Sequence, residues 1–557
     1  MGFRRELKEA LMRAWPVVPI TCAFLLGSCG NETDRAAEID ALPHFAHQNG
    51  RHAFLVDGEP FLILGAQANN SSNYPAALDD VWPAIEQLHA NTLEIPVAWE
   101  QTEPAEGQFD FSYVDELVRQ ARERSIRLIL LWFATWKNTS PHYAPSWVKL
   151  NNERFPRIIR EDGGIHYALS PHFQETLEAD SRAFRELMRH LRDIDGDRQT
   201  VIAVQVENEP GVYGSVRDYS PTANTLFAGA VPDELIEALG ARPGTWTEAF
   251  GEDADEFFHA WHTAKFIGAV AAAGREEYPL PMYANAALRD PVGYQDPMTY
   301  ASGGPTWNVI EVYKVAAPVL SVLAPDVYSR DYRTAIAHFG RYNREDNPLM
   351  VVEIGNAAEF ARFFFHVFGN NGVGFSPFGM DFTGYSNYPL GARVVNEQTI
   401  QPFAVLYEAF APIARDWARI SLEKRTWGVA KPDDNSVQTL ALGRWQATVR
   451  YDQWQFGGSD WTWMQRDPSP NLERESGGAM IAELDEDEYL VFAQNARVEF
   501  ALRDPTAADG VIFDRVEEGR FRAGEWVMDR VWNGDQTDYG LNFTARPRIL
   551  RVKLATY

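Results

Sequence analysis

Cysteine is nearly absent: of 557 residues only Cys22 and Cys29 carry a thiol, so beyond the first thirty residues the chain can form no disulfide. Positive charge is also scarce. Lys and Arg number 51 against 78 Asp and Glu, and the resulting net charge of -27 argues against nucleic acid or an anionic membrane surface as a partner. Neutral substrates remain open. Long apolar runs are missing as well; the run at 16–26 is too short to span a bilayer as an ordinary helix. There is no Gly-x-Ser-x-Gly elbow, no His-Glu-x-x-His pair and no phosphate loop, and no long repeat or low-complexity linker.

What is present begins with Arg4, Arg5, Lys8 and Arg13 ahead of that short apolar run, the order of a signal peptide. Leu26-Gly27-Ser28-Cys29 resembles a bacterial lipobox. The resemblance implies that residues 1–29 are a lipoprotein signal peptide and that Cys29 becomes the lipidated first residue. Residues 30–50 then read as a polar tether. The expected location is the periplasm or cell envelope, with a membrane contact made through the lipid anchor alone.

The chain is too long for one usual domain. Apolar strand-like runs occur at 61–66, 92–99, 128–133, 201–206, 281–285, 322–328, 349–353 and 372–378. Helical patterns lie between them: Leu78, Val81, Ile85 and Leu88 share one face, as do Phe173, Leu177, Phe184, Leu187, Met188 and Leu191. Further helices are expected at 255–278, 332–341, 357–368 and 403–420. Eight β/α repeats with strands apolar throughout predict an α/β fold, a (β/α)8 TIM barrel over residues 51–424, with functional residues at the strands' carboxyl ends. After 425 the pattern changes to short alternating strands with Gly and Asp turns, which predicts a smaller C-terminal β-sandwich domain over 425–557.

Two of the apolar runs end abruptly in carboxylates. Val201-Ile-Ala-Val-Gln-Val-Glu-Asn-Glu-Pro210 closes on Glu207, Asn208 and Glu209, and Leu349-Met-Val-Val-Glu-Ile-Gly355 closes on Glu353. Glycoside hydrolysis needs such a pair, one acid to protonate the leaving oxygen and one carboxylate across the anomeric carbon. The carboxyls lie about 5–5.5 Å apart when the second is a nucleophile and about 6.5–9.5 Å apart when it activates water. On an extended segment Glu207 and Glu209 share a face; Glu209 is nearer the strand's end and precedes Pro210, which ends the ladder. Glu209 is therefore the expected acid/base and Glu207 a structural carboxylate. Asn208 is expected to hold a sugar hydroxyl.

The stretch Val204-Gln-Val-Glu-Asn-Glu209 resembles the acid/base motif of glycoside hydrolase family 35. Asn91-Thr-Leu-Glu-Ile-Pro-Val-Ala-Trp-Glu-Gln-Thr-Glu-Pro104 and Gly107-Gln-Phe-Asp-Phe111 resemble that family's second-strand region. The resemblance implies a retaining β-galactosidase whose acid/base ends strand four and whose nucleophile ends strand seven, roles that fall on Glu209 and Glu353. The region after the barrel resembles the accessory β-domain of a bacterial branch that includes xyloglucan-directed β-galactosidases. The match breaks at Pro96, where animal members carry tyrosine, and at Leu131-Trp-Phe-Ala-Thr-Trp136, where a glutamate that would grip sugar hydroxyls aligns with Thr135. Lys137 and Asn138 are expected to supply polar contacts in its place.

Trp99 and Trp136, at the tips of strands two and three, are candidate sugar platforms, with core packing as the alternative. Asn285 and Tyr328 end strands five and six and are expected to face the cleft, Tyr328 bonding Glu353; Phe378 is expected as wall. His259 and His262 read as a packed or solvated pair, Asp193, Asp195 and Asp197 as a polar turn, and Glu483 to Glu488 as an exposed hairpin. The expected protein is an exported, exo-acting β-galactosidase that needs no cofactor and acts on a carbohydrate by double displacement. A β-glucosidase, arabinosidase or endo-glycanase on the same barrel, and a noncatalytic glycan-binding lipoprotein, are the alternatives.

Overall fold

The computed structural model describes residues 42–452, 467–506 and 508–557. The signal segment with Cys22 and Cys29, and the tether as far as residue 41, lie outside them.

The described chain opens with a three-stranded antiparallel sheet, β1 (His44–Gln48), β2 (Arg51–Val56) and β3 (Glu59–Phe61). This corrects the tether, whose last residues form β1 and pair with β2 from His44↔Leu55 to Gln48↔Arg51. The turn is Asn49-Gly50, both at positive φ (53° and 74°), the backbone that a two-residue hairpin loop requires.

The barrel strands are β4 (Ile63–Gln67), β5 (Thr92–Ala98) and β6 (Arg127–Lys137). After an antiparallel hairpin of β7 (Arg157–Ile159) and β8 (Ile165–Leu169) come β9 (Val201–Asn208), β10 (Met282–Ala287), β11 (Val322–Val327), β12 (Met350–Ile354) and β13 (Gly374–Pro377). They close in the order β4-β5-β6-β9-β10-β11-β12-β13, each pair parallel. Each of the eight apolar runs supplies one strand. Period-two alternation divides their side chains: Ile129, Leu131 and Phe133 of β6 fill the barrel with Ile63, Tyr283, Ala324 and Met350, while Leu128, Leu130 and Trp132 face the helices. Phe54, Val56 and Phe61 join the interior cluster, so the opening sheet closes the end where the strands begin.

The surrounding helices include α1 (Leu78–Leu88), α2 (Ser112–Arg124), α3 (Gln174–Asp195), α4 (Ala254–Arg275), α5 (Tyr332–Tyr342), α6 (Phe363–Gly369), α7 (Glu397–Phe410) and α8 (Ala414–Glu423). The single helix expected at 403–420 is two, interrupted at Ala411–Ile413, where Pro412 has no backbone N–H to continue the ladder.

The C-terminal strands are β14 (Thr426–Ala430), β15 (Gln438–Leu442), β16 (Trp445–Arg450), β17 (Gly478–Asp485), β18 (Glu488–Gln494), β19 (Ala496–Leu502), β20 (Val511–Arg522), β21 (Glu525–Val531), β22 (Leu541–Phe543) and β23 (Arg548–Thr556). They form a six-stranded antiparallel sheet, β14-β17-β18-β23-β20-β21, and a four-stranded one, β15-β16-β19-β22. Trp445, Ala447 and Val449 of the smaller sheet share a core with Ile481, Val491, Leu550 and Val552 of the larger. The opposite face of the larger sheet packs on the barrel's helices, where Phe492 meets Phe365 at 6.0 Å and Phe410 at 5.3 Å. A side chain at Gly428 would fall 2.7 Å from the Cα of Gly369, so this junction depends on glycine for its close approach.

Candidate active site

Glu209 and Glu353 come together at the barrel's carboxyl-end mouth, as their strand-end positions predict. With Asp326, at the end of β11, they offer oxygen atoms that all lie within 4.8 Å of one another. Among the described residues this trio is the one group whose potential metal-ligating atoms converge in this way.

Glu353 is buried and held on both oxygens. Gln67, the last residue of β4, donates its amide to Oε2 at 3.0 Å, and the Tyr328 hydroxyl donates to Oε1. Burial, and then the neighbouring Glu209, push its carboxyl up to about 7; Lys137 and the Tyr328 and Gln67 donors pull the other way.

Glu209 is half-buried and is placed through its backbone. Its N–H donates to Asn285 Oδ1 at 2.9 Å and its carbonyl accepts from Thr139 N at 3.3 Å; the Asn208 carbonyl accepts from Asn138 N at 3.2 Å. The end of β9 is not a regular strand. Glu207 has φ 63° and Glu209 φ 44°, a left-handed conformation that side chains other than glycine rarely adopt. The expectation that the two glutamates share a face fails for this reason: the reversal at Glu207 turns it toward the helix layer. There it is sealed from solvent, accepts from Trp136 N at 2.6 Å and lies against Asp180 of α3. Burial and then Asp180 push its carboxyl far above the ordinary range.

Asp326 is a component that the sequence reading missed. It accepts from Asn285 Nδ2 at 2.7 Å, and burial, then Glu353, then Glu209 raise its carboxyl well above the usual value. Its signal was available as one acidic residue interrupting Val322-Leu-Ala-Pro-Asp-Val327, two places before Tyr328. Lys137 is the cation beside the three carboxylates, its ammonium bonded to Asn138 Oδ1 and 5.1 Å from the Phe133 ring. A cavity of about 400 Å³ joins these groups, lined by Glu209, Glu353, Asp326, Tyr328, Lys137 and Asn138, with Asn70, Tyr213, His338 and Phe378 among its other walls. Asn208, expected to hold a sugar hydroxyl, is not among its walls; it is fully buried, with neither amide atom hydrogen-bonded.

Three expected substrate contacts are corrected. Trp99 is fully buried, donating its indole N–H to Glu103 at 2.8 Å and meeting Trp147 edge-on at 5.7 Å. Trp136 falls on the helix-facing side of β6 with Trp132, donates to the Leu169 carbonyl at 3.1 Å and packs 4.8 Å from Phe266. Neither offers a ring face to sugar. Asn285 spends its carbonyl on Glu209 and its amide on Asp326, so it positions the carboxylates and does not meet the cleft. Pro96 and Thr135 are buried away from the cavity, Thr135 donating to Asp180. His259 and His262 are packed in the helix layer beside Phe258 and His172, and burial lowers them to about 3 and about 4, leaving neutral rings.

With this geometry in hand, similarity to known proteins becomes informative. Residues 76–266 match a family model described as beta-galactosidase, that of glycoside hydrolase family 42. Over those residues the chain is beta-galactosidase-like in sequence. Residues 403–544 match a domain of unknown function, which begins within α7 and takes in α8 and most of the C-terminal sheets. A beta-galactosidase from Xanthomonas manihotis is 26% identical over 205 residues, 36% of this chain and 32% of that protein. Beta-galactosidase 11 of Arabidopsis thaliana is 27% identical over 164 residues, 28% of this chain and 18% of its own. The chain thus covers a third or less of the length of these relatives. The crystal structure of beta-galactosidase from Bacillus circulans sp. alkalophilus superposes with a TM-score of 0.50 over 88% of this chain and 99% of that one, at 10% identity, a likeness of fold.

Proposed function

We propose that the protein is a retaining, exo-acting β-galactosidase that removes terminal β-galactosyl residues from plant-type oligosaccharides or polysaccharides. The observation that carries this reading is the approach of Glu209 and Glu353 oxygens to within 4.8 Å. Nearest oxygens this close favour the roughly 5–5.5 Å carboxyl spacing of a nucleophile pair over the roughly 6.5–9.5 Å that leaves room for a water. The family 35 assignment rests on the motif ending in Glu209 and is part of the same proposal.

In the first step Glu353 attacks the anomeric carbon as Glu209 gives its proton to the departing glycosidic oxygen; the bond between sugar and leaving group breaks and a glycosyl ester forms. In the second, Glu209 takes a proton from water, whose oxygen displaces Glu353 and releases the sugar with its anomeric configuration retained. Tyr328, Gln67 and Lys137 favour the charged form that Glu353 needs for attack. Asn285 fixes the backbone of Glu209 and one oxygen of Asp326, and Asp326, Lys137 and Asn138 line the cavity as the polar groups for sugar hydroxyls. A cavity of about 400 Å³ accommodates one sugar ring, in keeping with exo action.

Labelling with a 2-deoxy-2-fluoro-β-galactosyl donor followed by peptide mapping tests the mechanism. The expected adduct is on Glu353; a label on another residue, or an inverted product, would overturn it. A panel of aryl glycosides separates galactosidase from glucosidase or arabinosidase action. Export and anchoring through Cys29 belong to the same reading, and a Cys29→Ala protein should lose both lipid labelling and the membrane fraction.

A further inference from the structure

A second cavity of about 650 Å³ adjoins the first and shares Asn70, Lys137 and Asn138 with it; Ser140, His142, Tyr143 and Tyr167 complete its lining. We propose that this cavity is the subsite for the leaving group, binding the sugar next to the scissile bond with Tyr167 as its stacking platform. The inference rests on the β-galactosidase reading and assigns the residues that hold the penultimate sugar.

Its position identifies the side of the bond. The segment forming its floor is tied to the strand end that carries the proposed proton donor, Asn138 N to Asn208 O and Thr139 N to Glu209 O, which sets this cavity next to Glu209. The ring of Tyr167 is 47% exposed yet fixed. Its hydroxyl is bonded to Thr139 Oγ1 at 2.6 Å and its ring lies 4.1 Å from that of His166. His166 is itself anchored, with Nε2 against the Tyr213 carbonyl at 2.9 Å and Nδ1 accepting from Ala168 N at 3.1 Å.

The β7–β8 hairpin that carries Tyr167 is fastened to the loop after β9. Asp218 accepts from Ile159 N at 3.0 Å and from Ser170 Oγ at 2.6 Å. An aromatic face held open in this way presents an apolar surface to a pyranose with little ordering cost on binding. Two lining atoms, Asn70 Oδ1 and Ser140 Oγ, are buried without a hydrogen-bond partner, which is the need a sugar hydroxyl would meet.

The experiment compares kcat/KM for a β-galactosyl disaccharide with that for β-galactosyl fluoride, which has no sugar to place in the second cavity. Tyr167→Ala should lower the disaccharide-to-fluoride ratio by about threefold to tenfold, and Tyr167→Phe, which keeps the ring, should restore most of it. Ser140→Ala, which leaves the platform untouched, should also lower the ratio and serves if Tyr167→Ala fails to fold. Equal loss on both substrates, or an unchanged ratio in both Tyr167→Ala and Ser140→Ala, overturns the subsite. A wild-type enzyme inert toward β-galactosyl fluoride would overturn the galactosidase reading itself, a different result.

Discussion

Two layers surround the candidate site, the tips of the barrel strands and the loops beyond them, and they carry different kinds of residue. The tips of β9, β11 and β12 hold carboxylates fixed by strand neighbours: Glu209 through Asn285, Asp326 through the same asparagine, Glu353 through Gln67 and Tyr328. Tryptophans at neighbouring tips are spent on packing. The connections beyond the tips hold exposed rings, Tyr167 on the β7–β8 hairpin and Tyr213 in the loop after β9, braced by each other's segments through His166. The difference follows from what each layer can do. A strand tip in a closed barrel has its backbone bonded on both sides and can hold a carboxylate within a fraction of an ångström, which bond-making requires. A loop reaches outward and presents a whole ring face, which recognition of a large flat ligand requires.

The comparison is sharpened most by separating Glu209 from Glu207, two residues apart at the same tip. Glu209→Gln should lower turnover of β-galactosides with poor leaving groups by about 10²- to 10⁴-fold, and of a dinitrophenyl galactoside far less, because only the former need the proton. Glu207→Gln mimics the protonated carboxyl that burial and Asp180 impose, so kcat should stay within a few-fold of wild type. A large loss at Glu207 with little at Glu209 would reverse the assignment. The tryptophans give a smaller effect of another kind. Trp136→Ala should cost about 3–5 kcal/mol of stability, read as a lower denaturant midpoint, while KM of the folded fraction is unchanged. A raised KM with unaltered stability would restore Trp136 as a sugar platform.

Much of the strand-tip layer was legible from sequence and little of the loop layer was. Buried parallel strands must be apolar on both faces, so eight such runs announced the barrel, and a carboxylate ending a run stood out because its burial needs a reason. Other features depend on context that a single stretch does not contain. A tryptophan at a strand tip is equally apolar whether it faces helices or cleft, and Trp99 and Trp136 face helices. The turn of Glu207 away from Glu209 is a backbone reversal with no glycine to advertise it. The strand His44-Phe-Ala-His-Gln48 has too few apolar residues to signal itself. Asp326 was hidden because the reading followed apolar continuity and passed over the residue that interrupted it.

The finest test of the rigid layer concerns how Glu353 keeps its charge. Its carboxyl is raised to about 7 by burial and by Glu209, and the Tyr328 hydroxyl is one of three groups opposing that rise. As the proposed nucleophile, Glu353 must be ionised, so kcat/KM should fall as pH drops through a limb near 7, well above the ordinary carboxylate range. Tyr328→Phe removes a donor that favours the charged form, so the limb should move to higher pH. A hydrogen bond to a charged group, at about 1.5–3 kcal/mol, corresponds to a displacement of about one to two pH units. At pH 8.5 the variant should recover a larger share of wild-type activity than at pH 6. A limb that stays in place, with activity lowered equally at every pH, would show that Tyr328 shapes the cleft without tuning the nucleophile, and the charge of Glu353 would then depend on Lys137 and Gln67.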